Sequence, residues 1–268
     1  MRWMSVRYFI GYGLVLLSRI AKALLAKAFE AAALAEQFSV IIWTPSEIDR
    51  YAKGDWDHRS TVLTYSQLDQ WLDETEKSLI EKYFTKRAEL LNVACGAGRE
   101  ALLLARRGLR VTAMDWGPGM ITAAQRRARE AGLPIRFAVA DMFSLPYREQ
   151  TFDHLLLTNI AYSYIFVRRR RIRFLGQAHS VLKSGGIFII SFARAWGDSK
   201  APGGLLERLF MRLSQRSPFN REYEPGDRFS GTFTHFFRSE ELAQEFQEAQ
   251  FLIKDWLWDK GYAVLVKL

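Results

Sequence analysis

Cysteine is all but missing: Cys95 is the only one in 268 residues, so no internal disulfide can form, and no Cys–His cluster has the spacing of a zinc site. That pattern suits a reducing, cytoplasmic setting without structural metal. Acidic residues are in deficit, 29 Asp and Glu against 38 Lys and Arg, for a net charge of +9. Such a surplus favours anionic surroundings (nucleic acid, anionic lipid, phosphorylated substrates) without choosing among them. A long hydrophobic run is lacking too. Tyr8 to Ser18, the longest uncharged stretch near the N-terminus, is about half the roughly 20 residues that a membrane-spanning helix needs. Internal repeats and low-complexity tracts are also missing.

What is present is 49% apolar and 25% charged, the composition of a globular chain with material for a sizeable core. Near the start, Leu14, Leu17, Ile20, Ala21, Leu24, Leu25 and Ala28 share one face of a helical wheel, opposite Arg19, Lys22, Lys27 and Glu30. With Trp3, Tyr8 and Phe9 at its entry, residues 8–30 suit a helix lying in the headgroup region of an anionic membrane, and equally one packed on the protein's own core or a partner. Arg19 and Lys22 directly after the apolar run speak against a cleaved signal peptide.

Thr44 to Thr61 is rich in charge and turn formers and reads as a connector, so residues 1–60 are expected to be a helical N-terminal extension and residues 61–268 the main domain. Ser66 is expected to cap a helix from Gln67 to Tyr83, with Leu68, Trp71, Leu72, Leu79 and Ile80 as its apolar positions. Apolar strands are then predicted near Glu89–Val93, Arg110–Met114, Arg136–Ala140, His154–Asn159 and Gly186–Phe192, separated by helices. This alternation predicts an α/β fold with a parallel sheet covered on both faces. Ser239 to Ala249 reads as a helix, and Leu252–Trp258 and Tyr262–Lys267 as a hairpin around Asp259-Lys260-Gly261. The dense run Arg168–Arg171 falls on the helix after the fourth strand, where it reads as a solvated face or an anion patch.

Chemistry concentrates where Leu90-Leu91-Asn92-Val93 runs into Ala94-Cys95-Gly96-Ala97-Gly98. Glycines at such a strand-to-helix turn let a ligand approach the backbone more closely than a Cβ would permit. Asp115, ending the second strand, can accept hydrogen bonds from ribose hydroxyls. Gly96-Ala97-Gly98-Arg99-Glu100-Ala101 with Asp115 about 20 residues on also satisfies a nicotinamide dinucleotide fingerprint, so the turn alone leaves two cofactor classes open.

From Glu89 to Phe192 the ordered motifs resemble the class I S-adenosylmethionine-dependent methyltransferases, particularly the group of quinone-biosynthesis and natural-product enzymes. The resemblance implies a Rossmann-like seven-stranded sheet with an antiparallel terminal hairpin, and S-adenosylmethionine as donor, leaving as S-adenosylhomocysteine. Gly96 and Gly98 match the family's last two loop glycines, while Asn92 replaces its usual acid and Ala94 its first glycine. Asn keeps an acceptor oxygen and Ala adds one methyl group, so tighter packing on the cofactor is expected. By the same resemblance Trp116 and Met120 sandwich the adenine, and Asp141 with the Met142 backbone reads its edge. Asn159, at the end of the fourth motif, lies beside the transferable methyl, and Cys95 belongs to the loop. Segments resembling the fourth and fifth motifs, and the hairpin, disfavour a dehydrogenase. No Tyr has a Lys four residues on, which separately disfavours the short-chain type.

The resemblance also implies an acceptor-covering insertion at about 194–238. Tyr162, Tyr164, Asp227 and His235 are substrate-side candidates by placement, though aromatic neighbours favour a core or lid role for His235. A small-molecule or lipid-like acceptor is expected, with RNA methylation and nicotinamide-dependent oxidoreduction as alternatives. Nucleic acid is disfavoured because no RNA-binding module is recognisable and because Ile160-Ala161, not Pro-Pro-aromatic, follows Asn159. The expected location is the cytoplasm or the inner face of a membrane.

Overall fold

A computed structural model describes residues 17, 19, 22, 24–28, 31, 32, 35, 36, 38, 41–67, 73–195, 205–230 and 232–268. Trp3, Tyr8, Phe9 and Leu14, as well as Leu68, Trp71 and Leu72, lie outside them. Five parallel-type strands, β1 (Glu89–Val93), β2 (Arg110–Asp115), β3 (Arg136–Val139), β4 (Phe152–Leu157) and β5 (Leu182–Ser191), alternate with helices. A terminal hairpin, β8 (Phe251–Leu257) and β9 (Tyr262–Lys267), completes a seven-stranded sheet of order β3-β2-β1-β4-β5-β9-β8. Strand β9 runs antiparallel to β5 and β8, and the other pairings are parallel. This is the Rossmann-like sheet with antiparallel hairpin that the motifs predict. A separate hairpin, β6 (Asp227–Ser230) with β7 (Thr232–His235), belongs to the insertion.

Two apolar layers follow from the period-two alternation of these strands. Leu91, Val93, Leu155, Leu157, Phe188 and Ile190 face one side, under α6 (Arg168–Val181) and α8 (Ser239–Glu248). Leu90, Val111, Ala113, Leu156, Ile189 and Val264 face the other, under α3 (Glu74–Tyr83), α4 (Arg99–Arg106) and Ile121 of α5 (Pro118–Glu130). The apolar residues of the central strands β1, β4 and β5 are therefore buried on both faces, as a crossover-connected parallel sheet requires, while the edge strands leave Val139, Leu252 and Ile253 exposed.

The N-terminal part departs from expectation. Residues read as a connector form helices α1 (Pro45–Trp56) and α2 (Arg59–Gln67). A capping box starts α1: Thr44 Oγ1 accepts from the Glu47 backbone and the Glu47 carboxylate accepts from the Thr44 backbone, with Pro45 where its missing N–H costs nothing. Ser66 sits inside α2, its hydroxyl donating to Val62 O, and α3 is capped instead by Asp73, which accepts from Thr75 N at 2.7 Å. Tertiary contacts dictate this. Ile48 of α1 and Trp43 join Phe166, Phe229 and Phe233 in an aromatic cluster, and Val62 and Tyr65 of α2 pack on Ala97, Met120 and Ala123. In the insertion, α7 (Leu205–Arg216) precedes the β6–β7 hairpin.

Candidate active site

The sheet order reverses between β1 and β4, and a crevice opens beyond the carboxyl ends of strands at such a switch point. Here it is a cavity of about 230 Å³ lined from three sources. The first is the turn after β1 with the end of β2: Ala94, Cys95, Gly96, Arg99, Glu100, Asp115, Trp116 and Met120. The ends of β3 and β4 supply Asp141, Met142, Phe143, Thr158, Asn159 and Tyr164. Asp49, Ala52, Lys53 and Trp56 of α1, with Tyr65 of α2, close it from above.

Asp115 holds the floor together. Its Oδ2 accepts from Gly96 N at 2.9 Å and its Oδ1 from Gly117 N at 2.9 Å. A carboxylate offers about four lone-pair positions, so each oxygen retains capacity for a ligand hydroxyl. Burial raises its pKa, against the pull of the Gly117 and Gly96 N–H groups. Gly96 has φ 50°, and a Cβ there would meet no protein atom within 4 Å: the loop leaves space where a ligand can approach its backbone. Gly98, with φ 84°, does other work, since a Cβ there would lie 3.0 Å from Ala124 Cβ and push α4 away from α5.

Asp141 turns the chain after β3 by accepting from Phe143 N at 2.9 Å, and its other oxygen lies 3.9 Å from Lys53 Nζ. Lys53 also sits over the Trp116 ring at 5.9 Å. Two acids at successive strand ends, Trp116 and Met120, and an open glycine loop make a donor set that fits an adenosyl group: hydroxyl acceptors, apolar surfaces for a flat base, and no Cβ in the way. Beyond it, Trp56 stands 5.2 Å from Tyr164 and 5.5 Å from Tyr65, ring to ring, an aromatic chamber against Phe143 and Ile165. Burial pushes the Tyr164 phenol up to about 12, so it stays neutral at pH ~7.

The α1–α2 cap is fastened twice. Asp57 Oδ1 accepts from Gly119 N at 2.9 Å, placing a carboxylate at the positive N-terminus of α5, and Asp49 pairs with Arg170 of α6 at 3.0 Å. A Cβ at Gly119 would come within 2.8 Å of Asp57 Oδ1, so a side chain there would displace the carboxylate that makes this bond. Under the cleft wall Glu76 of α3 is buried beside Glu100 and Arg99. Burial, reinforced by the charge of Glu100, pushes its carboxyl up to about 8, and its Oε1 has no hydrogen-bond partner.

Ala94, Cys95, Gly96, Asp115, Trp116, Met120, Asp141, Met142, Asn159 and Tyr164, all singled out in the sequence, are thus brought together. Asn92 and Gly98 are not on the cleft wall; Asn92 is buried in β1, its Nδ2 donating to Leu156 O. Tyr162, Asp227 and His235 also lie away from the cleft, in a buried ionic network between α6, α8 and the insertion. Tyr162 donates to Glu245 Oε2 at 2.6 Å, and the fully buried Arg171 contacts Glu245 at 2.7 Å and Glu224 at 2.9 Å. His235 lies 2.7 Å from Asp227 and 2.9 Å from Glu241. Burial alone would lower its pKa, but these two bonds outweigh it and hold the imidazole up to about 9. The solvated face expected of Arg168–Arg171 gives way to pairing: Arg168 with Glu248, Arg169 with Glu222, Arg170 with Asp49 and Arg171 inside the network. Sequence reasoning missed Asp49, Lys53, Trp56, Asp57, Tyr65 and Glu76. The Thr44-x-x-Glu47 capping signature was the one signal that a helix begins there.

Residues 90–186 match the family described as a methyltransferase domain. The chain is 28% identical over 128 residues to a putative methyltransferase, YqeM, of Bacillus subtilis, covering 48% of this chain and 49% of that one. It is 34% identical over 104 residues to the demethylmenaquinone methyltransferase of Thermus thermophilus, covering 38% and 45%. It thus spans about half the length of these curated relatives. The fold is similar to that of the 1,6-didemethyltoxoflavin-N1-methyltransferase of Burkholderia thailandensis, solved with bound 1,6-didemethyltoxoflavin and S-adenosylhomocysteine. There the TM-score is 0.58 at 19% identity, over 83% of this chain and 90% of that one.

Proposed function

We infer, from the methyltransferase domain of the S-adenosylmethionine-dependent class that this chain carries over residues 90–186, that the protein transfers a methyl group to a small, largely apolar acceptor, small-molecule or lipid-like. The observation that carries this reading is the joining of two compartments in one cleft: the Asp115–Gly96–Asp141 cradle, and the Trp56–Tyr65–Tyr164 chamber beyond it. In this reading Asp115 holds the ribose, Trp116 and Met120 flank the adenine, Asp141 reads its edge, and the loop from Ala94 to Gly96 follows the rest of the donor. When bound, the donor supplies an already activated sulfonium methyl. What the chain itself must do is align the acceptor, exclude water and avoid competing nucleophiles.

The α1–α2 cap suits that task, since Trp56 and Tyr65 cover the chamber with apolar surface. Tyr164, a neutral phenol, would orient the acceptor by donating a hydrogen bond. Asp227 and His235 enter no step here, because both nitrogens of the imidazole are engaged by carboxylates. RNA as acceptor gains no support from Arg168–Arg171, whose guanidinium groups are already paired.

The test is calorimetric titration with S-adenosylmethionine and S-adenosylhomocysteine, followed by mass-spectrometric detection of a product 14 mass units heavier (~14, one CH2) in extract. Asp115→Asn places an amide N–H against a backbone N–H, leaving a buried donor unsatisfied at a cost of about 1–3 kcal/mol. The same change replaces one acceptor oxygen available to the ribose hydroxyls by a donor, so donor affinity should fall roughly tenfold to a hundredfold. No uptake of either nucleoside by the unaltered chain would end this reading.

A further inference from the structure

We propose that the N-terminal helix and insertion helix α7 form one basic, apolar face that seats the protein on an anionic lipid bilayer. Described residues from Leu17 to Ile42 are helical, and apolar ones among them stand in solvent: Leu17 is 63% exposed, Leu24 66% and Leu25 56%. At helical spacing in the sequence Leu17 recurs with Leu24, and Phe38 with Ile42, on one side. The second pair meets the insertion. Phe38 packs on Phe210 of α7 at 4.5 Å, and Ser217 donates to Ile41 O at 2.7 Å. Helix α7 buries Phe210 in this contact yet leaves Leu209 and Leu213 outward, with Phe219 57% exposed just beyond.

Two adjoining amphipathic helices therefore hold several large apolar side chains in water, more than single scattered leucines would. Charge complementarity identifies what covers them. Arg19, Lys22 and Lys27 on the first helix, and Arg212 and Arg216 on the second, are exposed, against Glu36 among the described acids of the first. Cations flanking apolar positions suit headgroup and acyl boundary together, each contributing roughly fivefold in affinity near an anionic surface. No helix among the described residues is long and apolar enough to cross a membrane. The chain leads from this face to the cleft: directly after Ile42, Trp43 packs on Phe229 of β6, as does Tyr51 of α1, and α1 carries Lys53 and Trp56 on the cleft wall. Docking would set the chamber close to the lipid phase.

The experiment is flotation of the full chain with phosphatidylcholine vesicles, with and without phosphatidylglycerol. Binding is expected only to the anionic vesicles and should weaken with salt. Leu24→Glu/Leu25→Glu and Leu209→Glu/Leu213→Glu, all at exposed positions, should each reduce it roughly tenfold or more, with unaltered uptake of S-adenosylhomocysteine as the sign of a folded site. If a double variant loses that uptake, the single substitutions Leu24→Glu and Leu213→Glu take its place, each with a several-fold loss expected. The proposal is overturned if anionic vesicles are not bound, if substitutions on α7 leave binding unchanged, or if the same substitutions dissolve a dimer instead. Flotation needs no donor, so its failure would leave the methyl-transfer reading standing.

Discussion

Ala94, directly after β1, has φ 51°, inside the left-handed region. An L-residue with a Cβ pays about 1–2 kcal/mol there, whereas glycine enters it freely but loses about 0.5–1 kcal/mol by loosening the unfolded chain. Ala94→Gly is therefore expected to stabilise the protein by about 0.5–1 kcal/mol, read as a higher urea midpoint at unchanged slope. From the sequence, alanine at this position implied only one extra methyl group against the cofactor. The structure moves the consequence to the backbone. Residue types at the glycine turn and at Asp115 and Asp141 were legible because each strand end must carry them at a fixed place. The torsion of Ala94, and the pairing of Glu76 with Glu100 across separate helices, were not, because neither leaves a local pattern.

The elements divide in the same way. Strands β1 to β5 announced themselves through short apolar runs between turn formers, and their parallel pairing follows from the helical crossovers between them. Helices α1 and α2 did not, since the apolar positions of α1 (Ile48, Tyr51, Ala52 and Trp56) stand among charges and Gly54, and the helices' partners, Phe229, Phe233, Met120 and Ala123, are distant in sequence. Their attachment to the domain combines these packed clusters with the Asp49–Arg170 pair and the Asp57 carboxylate at the N-terminus of α5. Asp57→Ala should cost about 1 kcal/mol, the usual value of a lost helix cap. It should also loosen the cap locally, exposing residues 45–67 to limited proteolysis well before the sheet unfolds. Trp56→Ala keeps that anchor and removes only chamber surface. Donor affinity should stay, while any acceptor identified by product analysis should show a raised KM, at least tenfold for the loss of a buried aromatic contact worth about 1.5–3 kcal/mol.

At the scale of the molecule, the insertion, α6 and α8 are locked by buried charges, and this sets how stability depends on pH. His235 is held up to about 9 in the fold against an ordinary value near 6.5, so the folded state keeps a proton that the unfolded chain has lost. Its contribution is complete below pH ~6.5 and disappears as pH rises through about 9. Glu76, pushed up to about 8, has the same sign over a lower window: between its ordinary value of about 4.5 and about 8, the fold binds the extra proton and stability declines with pH. Carboxyls held down by partners, such as Glu241 beside His235 and Glu222 beside Arg169, act oppositely and lose their contribution only on acidification. Stability should therefore peak on the mildly acid side and fall towards pH 9, the histidine accounting for a change of the order of 3 kcal/mol. Chemical denaturation across pH 5 to 9.5 (~0.5-unit steps) tests this, compared with His235→Gln and Glu76→Gln. The first substitution should flatten the decline above pH ~6.5 and the second the decline below pH ~8. An unaltered slope in both would assign the pH dependence to groups outside the buried network, and would mean that Asp227 and Glu241 hold a neutral imidazole.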